Sequence, residues 1–438
     1  MRRSLFFLLM ILAAFWLCSS VAFAVNGTIL VRYSPDGEME AERRWKDGTD
    51  WSTLVPMAID NNNNVIICAE GRLFLLENDF NVTSYQSYIF DKIIFDSLNG
   101  YYLQNYNGIV KLNDALAQQW EIEMEAYQNI VEDCMIDKND NLVMLVESNS
   151  SNVGLYKYNS AGQLQWKKAI DEQSLWDNYF YKTPIKLDNE NSMYFLSYAL
   201  VDGEVDSLNL NKFSADGILQ WQLPIQNRLD PIVINNEENI IISVDTETSS
   251  SLEGELGEEY SLDRFHVYTY DFNGQPINDA YIGEPLYNRL VLFDVDLGSD
   301  GGIIISAVGL IGDEFYQKEF LYILKITSDG DVLWTYKYER QGRYYNNCAN
   351  CRTIIDNDNN ILVSGLSCGD NTDCNCILFK LDLDGNLLWN NNLPRCYSQD
   401  LPCNAALDED DNIYLAGYYG YTDDDDDDDD DEPGCGCF

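Results

Sequence analysis

The apolar and polar positions of this chain come in alternating blocks. Short β-type runs rich in Ile, Leu, Val and Tyr are cut by clusters of Asp, Asn and Gly, the composition of strands joined by turns. One block recurs eight times: an apolar residue, Asp (once Asn), a short polar run ending in most copies in Asn or Gly, then a β run. The copies start at Asp60, Asp96, Asp137, Asp188, Asn235, Asp296, Asp356 and Asp408. Ile355-Asp356-Asn-Asp-Asn-Asn360-Ile-Leu-Val shows the form, and the sixth copy, Val295-Asp296-Leu-Gly-Ser-Asp-Gly301, has one residue more.

A second block alternates with the first. It reads as strand, turn and strand, often closed by Trp: Gly162 with Trp166, Gly217 with Trp221, Gly330 with Trp334 and Gly385 with Trp389. Val31 to Gly37 opens the first copy. The copy around Gly274 lacks the Trp, and those around Glu77–Asn81 and Asn113–Trp120 are degraded. Successive Asp anchors lie 36 to 61 residues apart, which in most intervals leaves room for four short strands. Such units bury their apolar faces only by stacking on neighbours, and ring closure removes the exposed edges. The pattern predicts an all-β chain forming a single β-propeller of about eight four-stranded blades. Trp166, Trp221, Trp334 and Trp389 are expected between adjacent blades. A seven-bladed ring with an irregular second unit and an open β solenoid are the alternatives. The insertions near Glu247–Leu262 and Glu339–Asn350 are expected as loops on the rim, the first of them mobile.

The two ends read differently from the repeats. Arg2 and Arg3, the apolar run Leu5–Leu17 and Val21-Ala22-Phe23-Ala24 fit a secretory signal peptide over 1–24 with cleavage before Val25. A retained anchor is disfavoured because the run is short for a span. Cys18 lacks the small residue that precedes a lipidated cysteine. No later stretch is apolar enough to be transmembrane. The propeller domain is assigned to 25–420 and a disordered acidic tail to 421–438, where Asp423–Asp431 cannot build a core. The net charge of −46 excludes nucleic acid as a partner and disfavours anionic lipid. One histidine, His266, leaves little material for general-base chemistry near neutral pH.

The strand-turn-Gly-x-x-x-Trp pattern at Gly162/Trp166, Gly217/Trp221, Gly330/Trp334 and Gly385/Trp389 resembles the blades of the pyrroloquinoline-quinone-like propeller superfamily, over roughly 29–418. It also resembles related repeat proteins common among secreted bacterial proteins. Enzymes of that superfamily carry a quinone, a bound metal and dedicated acids, often with a disulfide of adjacent cysteines. No adjacent cysteines occur here. The resemblance therefore implies the fold and not the enzymology. The ending Gly434-Cys435-Gly436-Cys437 after an acidic spacer resembles the tails of surface-sorted Gram-negative proteins, which implies processing or anchoring at Cys435 and Cys437. Those tails often continue into a span and a basic end, whereas this sequence stops at Phe438. A plain solubilising tail is the alternative.

Candidate chemistry is sparse. Asp137, Asn139 and Asn141, Asp356, Asp358 and Asn360, and Asp408, Asp410 and Asn412 have the alternate oxygen spacing that suits Ca²⁺. The same residues suit Asx-rich turns in which Asp caps local N–H groups. Calcium is the only ion this suggests, and no other cofactor is predicted. Cys348, Cys351, Cys368, Cys374, Cys376, Cys396 and Cys403 crowd the last two units and read as disulfide candidates in an exported chain, with thiolate-bound zinc as the alternative. Cys68 and Cys134 read as small core residues. No catalytic motif emerges. The reading is an exported binding or scaffold protein at the cell surface or in the periplasm. A protein, glycan or small ligand would sit at a propeller face, and a surface-sorting or membrane-scaffold partner is a further option. The alternative is a quinone- or metal-dependent enzyme of the quinoprotein-like class.

Overall fold

A computed structural model gives the fold of the chain. It describes residues 25–420 except 46–54, 70, 78–79, 87–89, 106, 125–128, 149–151, 171–172, 175–176, 179–180, 183–184, 202–203, 226–229, 254–258, 288, 313–316, 340–350, 369–373 and 394–403. The expected signal peptide and the acidic tail lie outside the described residues.

Eight antiparallel four-stranded meanders form the blades of a β-propeller. Blades 1 to 7 span 57–86, 92–123, 129–170, 186–225, 230–287, 289–339 and 351–393. Blade 8 is shared between the two ends of the described chain. Strands Asn404–Leu407 and Ile413–Gly420 are completed by Val25–Tyr33 and Met39–Trp45, with Leu30 opposite Ala416. The short second unit forms a full blade, Lys92–Phe95, Tyr101–Asn105, Gly108–Leu112 and Gln118–Glu123, so the seven-bladed alternative falls. Short strands between blades 3 and 4 add Gln173–Ser174 to the edge of Met193–Val201. The insertion at 247–262 is not a plain loop: the second and third strands of blade 5 run on as a ladder, with Ser249 opposite Leu262 and Glu253 opposite Glu259. The insertion at 340–350 lies outside the described residues. No helix among the described residues is long and apolar enough to cross a membrane.

The first strands of neighbouring blades face one another around the axis. Buried apolar side chains fall into eight clusters, one at each joint between blades. The core is thus a set of joints and not one interior, as expected when no unit can bury its own face alone. In an antiparallel meander the turn after the first strand and the turn after the third lie at the same end. All these tight turns therefore form one face of the ring, the turn face. The other connections form the loop face.

Each Asp anchor except Asp296 makes the inner turn of its blade. Asp137 shows how: its Oδ1 accepts the amides of Asn139 and Asn141 at 2.8 and 2.9 Å, and the Asp140 amide bonds the Asp137 carbonyl at 3.0 Å. The residue three past the anchor then has positive φ, and it is Asn63, Asn99, Asp140, Asn191, Asn359 or Asp411. Asn and Asp tolerate this conformation, and here their side chains have a second use. Each accepts an amide from the preceding blade: Asn61 to Asn99, Ser97 to Asp140, Lys138 to Asn191, Ser299 to Asn359, Asn357 to Asp411 and Glu409 to Asn63, at 3.0 to 3.2 Å. Asn236 does the same for Asn189 at 2.7 Å. Seven of the eight joints are linked this way, including the one that closes the ring from blade 8 to blade 1. The sixth unit differs from the sequence reading. Its turn runs Gly298–Gly302, and Asp296 belongs to the inner strand. Gly301 occupies the positive-φ position and has no side chain to offer blade 5.

Outer turns make the other half of each joint. Gly37, Gly162, Gly217, Gly274, Gly330 and Gly385 have positive φ there, while blades 1 and 2 force Phe80 and Leu116 into the same conformation. The glycines also serve close approach. A Cβ on Gly385 would meet Trp334 at 2.6 Å, and one on Gly217 would meet Trp166 at 2.9 Å. Trp221 stands over Gly274 and Trp389 over Gly37 in the same manner. The Trp334, Trp221 and Trp389 indole N–H groups donate to Leu383, Phe272 and Pro35 carbonyls in the next blade, at 2.8, 3.0 and 3.1 Å.

A buried lysine completes the joint. Lys111, Lys157 and Lys380 each pair with their own blade's anchor, Asp96, Asp137 and Asp356, at 2.7 to 2.8 Å. The same ammonium groups donate to the next blade's outer-turn carbonyl, at Ser160, Ala215 and Pro35. Lys212 does so to Phe272, with Asp188 at 3.8 Å. In blade 6, Lys325 pairs with Asp300 at 2.7 Å, which replaces the anchor missing at Gly298. Blade 5 has Asn235 as anchor and Thr269 in the lysine place, so anion and cation are lost together, and the Thr269 hydroxyl donates to the Ser328 carbonyl instead.

Candidate functional site in the axial channel

The inner strands carry most of the chain's unusual chemistry. Counting back from the turn anchor, the residue just before it is apolar in all eight blades: Ile59, Phe95, Ile136, Leu187, Ile234, Leu297, Ile355 and Leu407. Two residues before the anchor, Lys186 and Asp296 interrupt an otherwise apolar set. Four residues before it stand Lys92, Asp133, Asp294, Arg352 and Asn404. The channel is thus apolar toward the turn face and charged toward the loop face.

Electrostatic partners show that these groups look across the axis. Lys186, in blade 4, acts on Asp294 and Asp296, in blade 6. Arg352, in blade 7, acts on Lys92, in blade 2. Neither pair of blades, 4 with 6 or 7 with 2, is adjacent in the ring, which places the shared space at the channel. Asp133 anchors one side by accepting Lys92 at 2.6 Å and the Ile185 amide at 2.8 Å. Burial alone would lower the Lys92 pKa, but Asp133 outweighs it and the net shift is upward. Asp294 accepts the amide and hydroxyl of Thr353 at 3.1 and 3.2 Å. Its carboxyl is nevertheless raised by burial. Burial, with Asp294 adding repulsion, pushes Asp296 up to about 6. The Arg352 side chain is open to solvent yet walled in by the surrounding blades, and desolvation lowers its pKa. It donates to Asn404 Oδ1 at 2.9 Å. Shifts of this kind, in groups converging on one cavity, mark the channel as the candidate site.

The residues singled out from the sequence lie elsewhere. The three Asp/Asn loops sit on the turn face in three different blades; those of blades 7 and 8 touch, through Asn357 and Asp411, while that of blade 3 stands apart. Within each loop the first Asp is already satisfied: Asp356 accepts the Asp358 and Asn360 amides, the Asn360 side chain and Lys380, and Asp408 accepts the Asp410 and Asn412 amides. Calcium at Asp137 or Asp356 would have to compete with a buried lysine. No three His, Cys, Asp or Glu side chains converge on a possible metal position among the described residues. Cys351, Cys368, Cys374 and Cys376 fall at the loop-face ends of blade 7 strands, with Cys368 directly opposite Cys374 in register. Cys348, Cys396, Cys403, Cys435 and Cys437 lie outside the described residues. Cys134 is fully buried and Cys68 partly so.

Compared with known proteins, the chain matches no protein-family model and no curated protein. Solved structures do align. Hydrazine synthase of Kuenenia stuttgartiensis is 9% identical with a TM-score of 0.42, covering 60% of this chain and 78% of that one. A calcium-binding regucalcin from Agrobacterium tumefaciens is 16% identical with a TM-score of 0.34, covering 59% and 83%. A protein of unknown function from Bacteroides caccae is 10% identical with a TM-score of 0.34, covering 72% and 94%. Likenesses at this level add nothing to the fold already given by the strand pairing.

Proposed function

We propose that the chain is an exported binding or scaffold protein that holds a small polar ligand at the loop-face end of its axial channel. The observation that carries this reading is the electrostatic coupling of charged groups on inner strands of non-neighbouring blades: Lys186 with Asp294 and Asp296, and Arg352 with Lys92. Acidic residues outnumber basic ones 73 to 27 over the whole chain, so three cations on one short channel wall are a marked local enrichment. Such a mixed wall offers donors to a carboxylate and acceptors to hydroxyl or amino groups. A sugar acid or an amino acid has that chemistry. The signal-like N-terminus supports export, to the cell surface or the periplasm. Calorimetric titration of the full chain with galacturonate and with glutamate tests the reading. Saturable binding of one ligand per chain, lost in a Lys186→Met/Asp296→Asn variant, is the expected result. Heats that are unsaturable for both probes, or a site indifferent to the variant, would remove the channel from the proposal.

A further inference from the structure

The turn face carries a second feature that the channel does not explain. Large apolar residues stand exposed within three positions after the outer-turn glycines: Met39, Leu164, Ile218, Ile277, Leu333 and Leu388, each more than half exposed. They belong to blades 8, 3, 4, 5, 6 and 7, so they trace an arc along the rim. Blades 1 and 2 have no outer-turn glycine, and blade 2 has Gln118 and Gln119 at this place. The residues lie at the start of the fourth strand, or in the case of Ile218 just before it, and the outer edge of that strand pairs with no other strand of its sheet. Scattered exposed Leu needs no explanation, but recurrence within the same three-residue stretch after the outer turn in six blades does. Charge says what fits there. Of the sixteen inner and outer turns on this face, only one contains a basic residue, Lys138, whereas Asp and Glu occur in nearly all of them. The lysines nearest this face are buried and already paired with anchor carboxylates.

We infer that this arc docks a cationic amphipathic polypeptide, one that sets apolar side chains against the exposed Leu and Ile and Lys or Arg against the acidic turns. A second copy of this chain would bring like charge against like and is disfavoured. Fluorescence anisotropy with two synthetic probes tests the inference: a Lys/Leu amphipathic peptide and a Lys/Ser peptide of equal length and charge. The full chain is expected to bind the Lys/Leu probe at least roughly tenfold more tightly, because only that probe buries apolar surface. An Ile218→Ser/Leu333→Ser/Leu388→Ser variant should lose that difference while keeping its unfolding temperature, since the three side chains are solvent-exposed. A full-length variant with Asp423–Asp431 changed to Asn should keep it. Equal binding of the two probes overturns the inference. So does loss of the preference when only the tail charges are removed, or sedimentation showing that the arc is consumed by self-association.

Discussion

Changing Lys157 to Thr removes one half of a pair that is almost wholly shut away from water, with side-chain exposures of 7% for Lys157 and 0% for Asp137. The ammonium lies 2.8 Å from Asp137 Oδ2 and 3.1 Å from the Ala215 carbonyl of the next blade. Breaking a buried pair from one side costs about 3–5 kcal/mol, because the other charge stays behind. Asp137 keeps the amides of Asn139 and Asn141 and the Asn141 side chain, so the lower end, about 3 kcal/mol, is expected for Lys157→Thr. Asp137→Asn should cost about as much, since Lys157 then keeps only a carbonyl. The double variant recreates the combination that blade 5 already uses, Asn235 at the anchor and Thr269 in the lysine place, and should be more stable than either single change. Urea unfolding at pH 7, followed by tryptophan fluorescence and circular dichroism together, reads all four corners of the cycle. The pH dependence has a definite sign. The Asp137 carboxyl is held below its ordinary value: burial alone would raise it, but Lys157 and the turn amides outweigh this. The stabilisation is therefore present above the unfolded value of about 4 and is lost as pH falls through the lower folded value. Strictly additive single changes would refute the reasoning, as would a double variant weaker than both.

Other expectations follow from the same joints. Gly385→Ala places a Cβ 2.6 Å from Trp334 at φ +82, and should destabilise by about 2 kcal/mol or more, read as a lower urea midpoint. Gly301→Asn supplies the link that the joint between blades 5 and 6 lacks; its Cβ would meet nothing nearer than Asn235 at 3.9 Å, and a gain of about 0.5–1 kcal/mol is expected in the same assay. Asp296, pushed up to about 6, opposes folding when ionised, so Asp296→Asn should raise the unfolding temperature at pH 8 and leave it nearly unchanged at pH 4. An equal effect at both pH values would show that its environment, and not its charge, matters.

How far the sequence disclosed this structure depends on where each signal sits. The inner-turn anchors were legible because turn chemistry is local: the Asp, the two capped amides and the positive-φ Asn fall within five residues. The sixth copy misled because Val295-Asp296 imitates the apolar-Asp start two residues before the true turn at Gly298. The joint lysines stand in plain view, five residues before the outer-turn glycine at Lys157, Lys212, Lys325 and Lys380. Hydropathy treats such a lysine as a surface residue, so its burial was not foreseen. Phe80 and Leu116 hid two outer turns, since neither residue type announces positive φ. The channel was not legible at all. Lys92, Lys186, Asp296 and Arg352 each depart from the repeat once, in different units, and only closure of the ring brings them together. The ladder beyond Ser249 was missed because its residues are polar and carry no strand alternation.

Pairing of Val25–Tyr33 with Ile413–Gly420 has a consequence in time. In a chain made from its N-terminus, the first strand of the ring is also the one that waits longest for its partner. Leu30 and Val31, buried in the finished blade, go without that cover while seven blades accumulate. Few contacts in the molecule span a greater sequence distance, and such contacts slow folding and prolong exposure to aggregation. The yield of folded protein should therefore hinge on how fast the last strand arrives as much as on the stability of any blade.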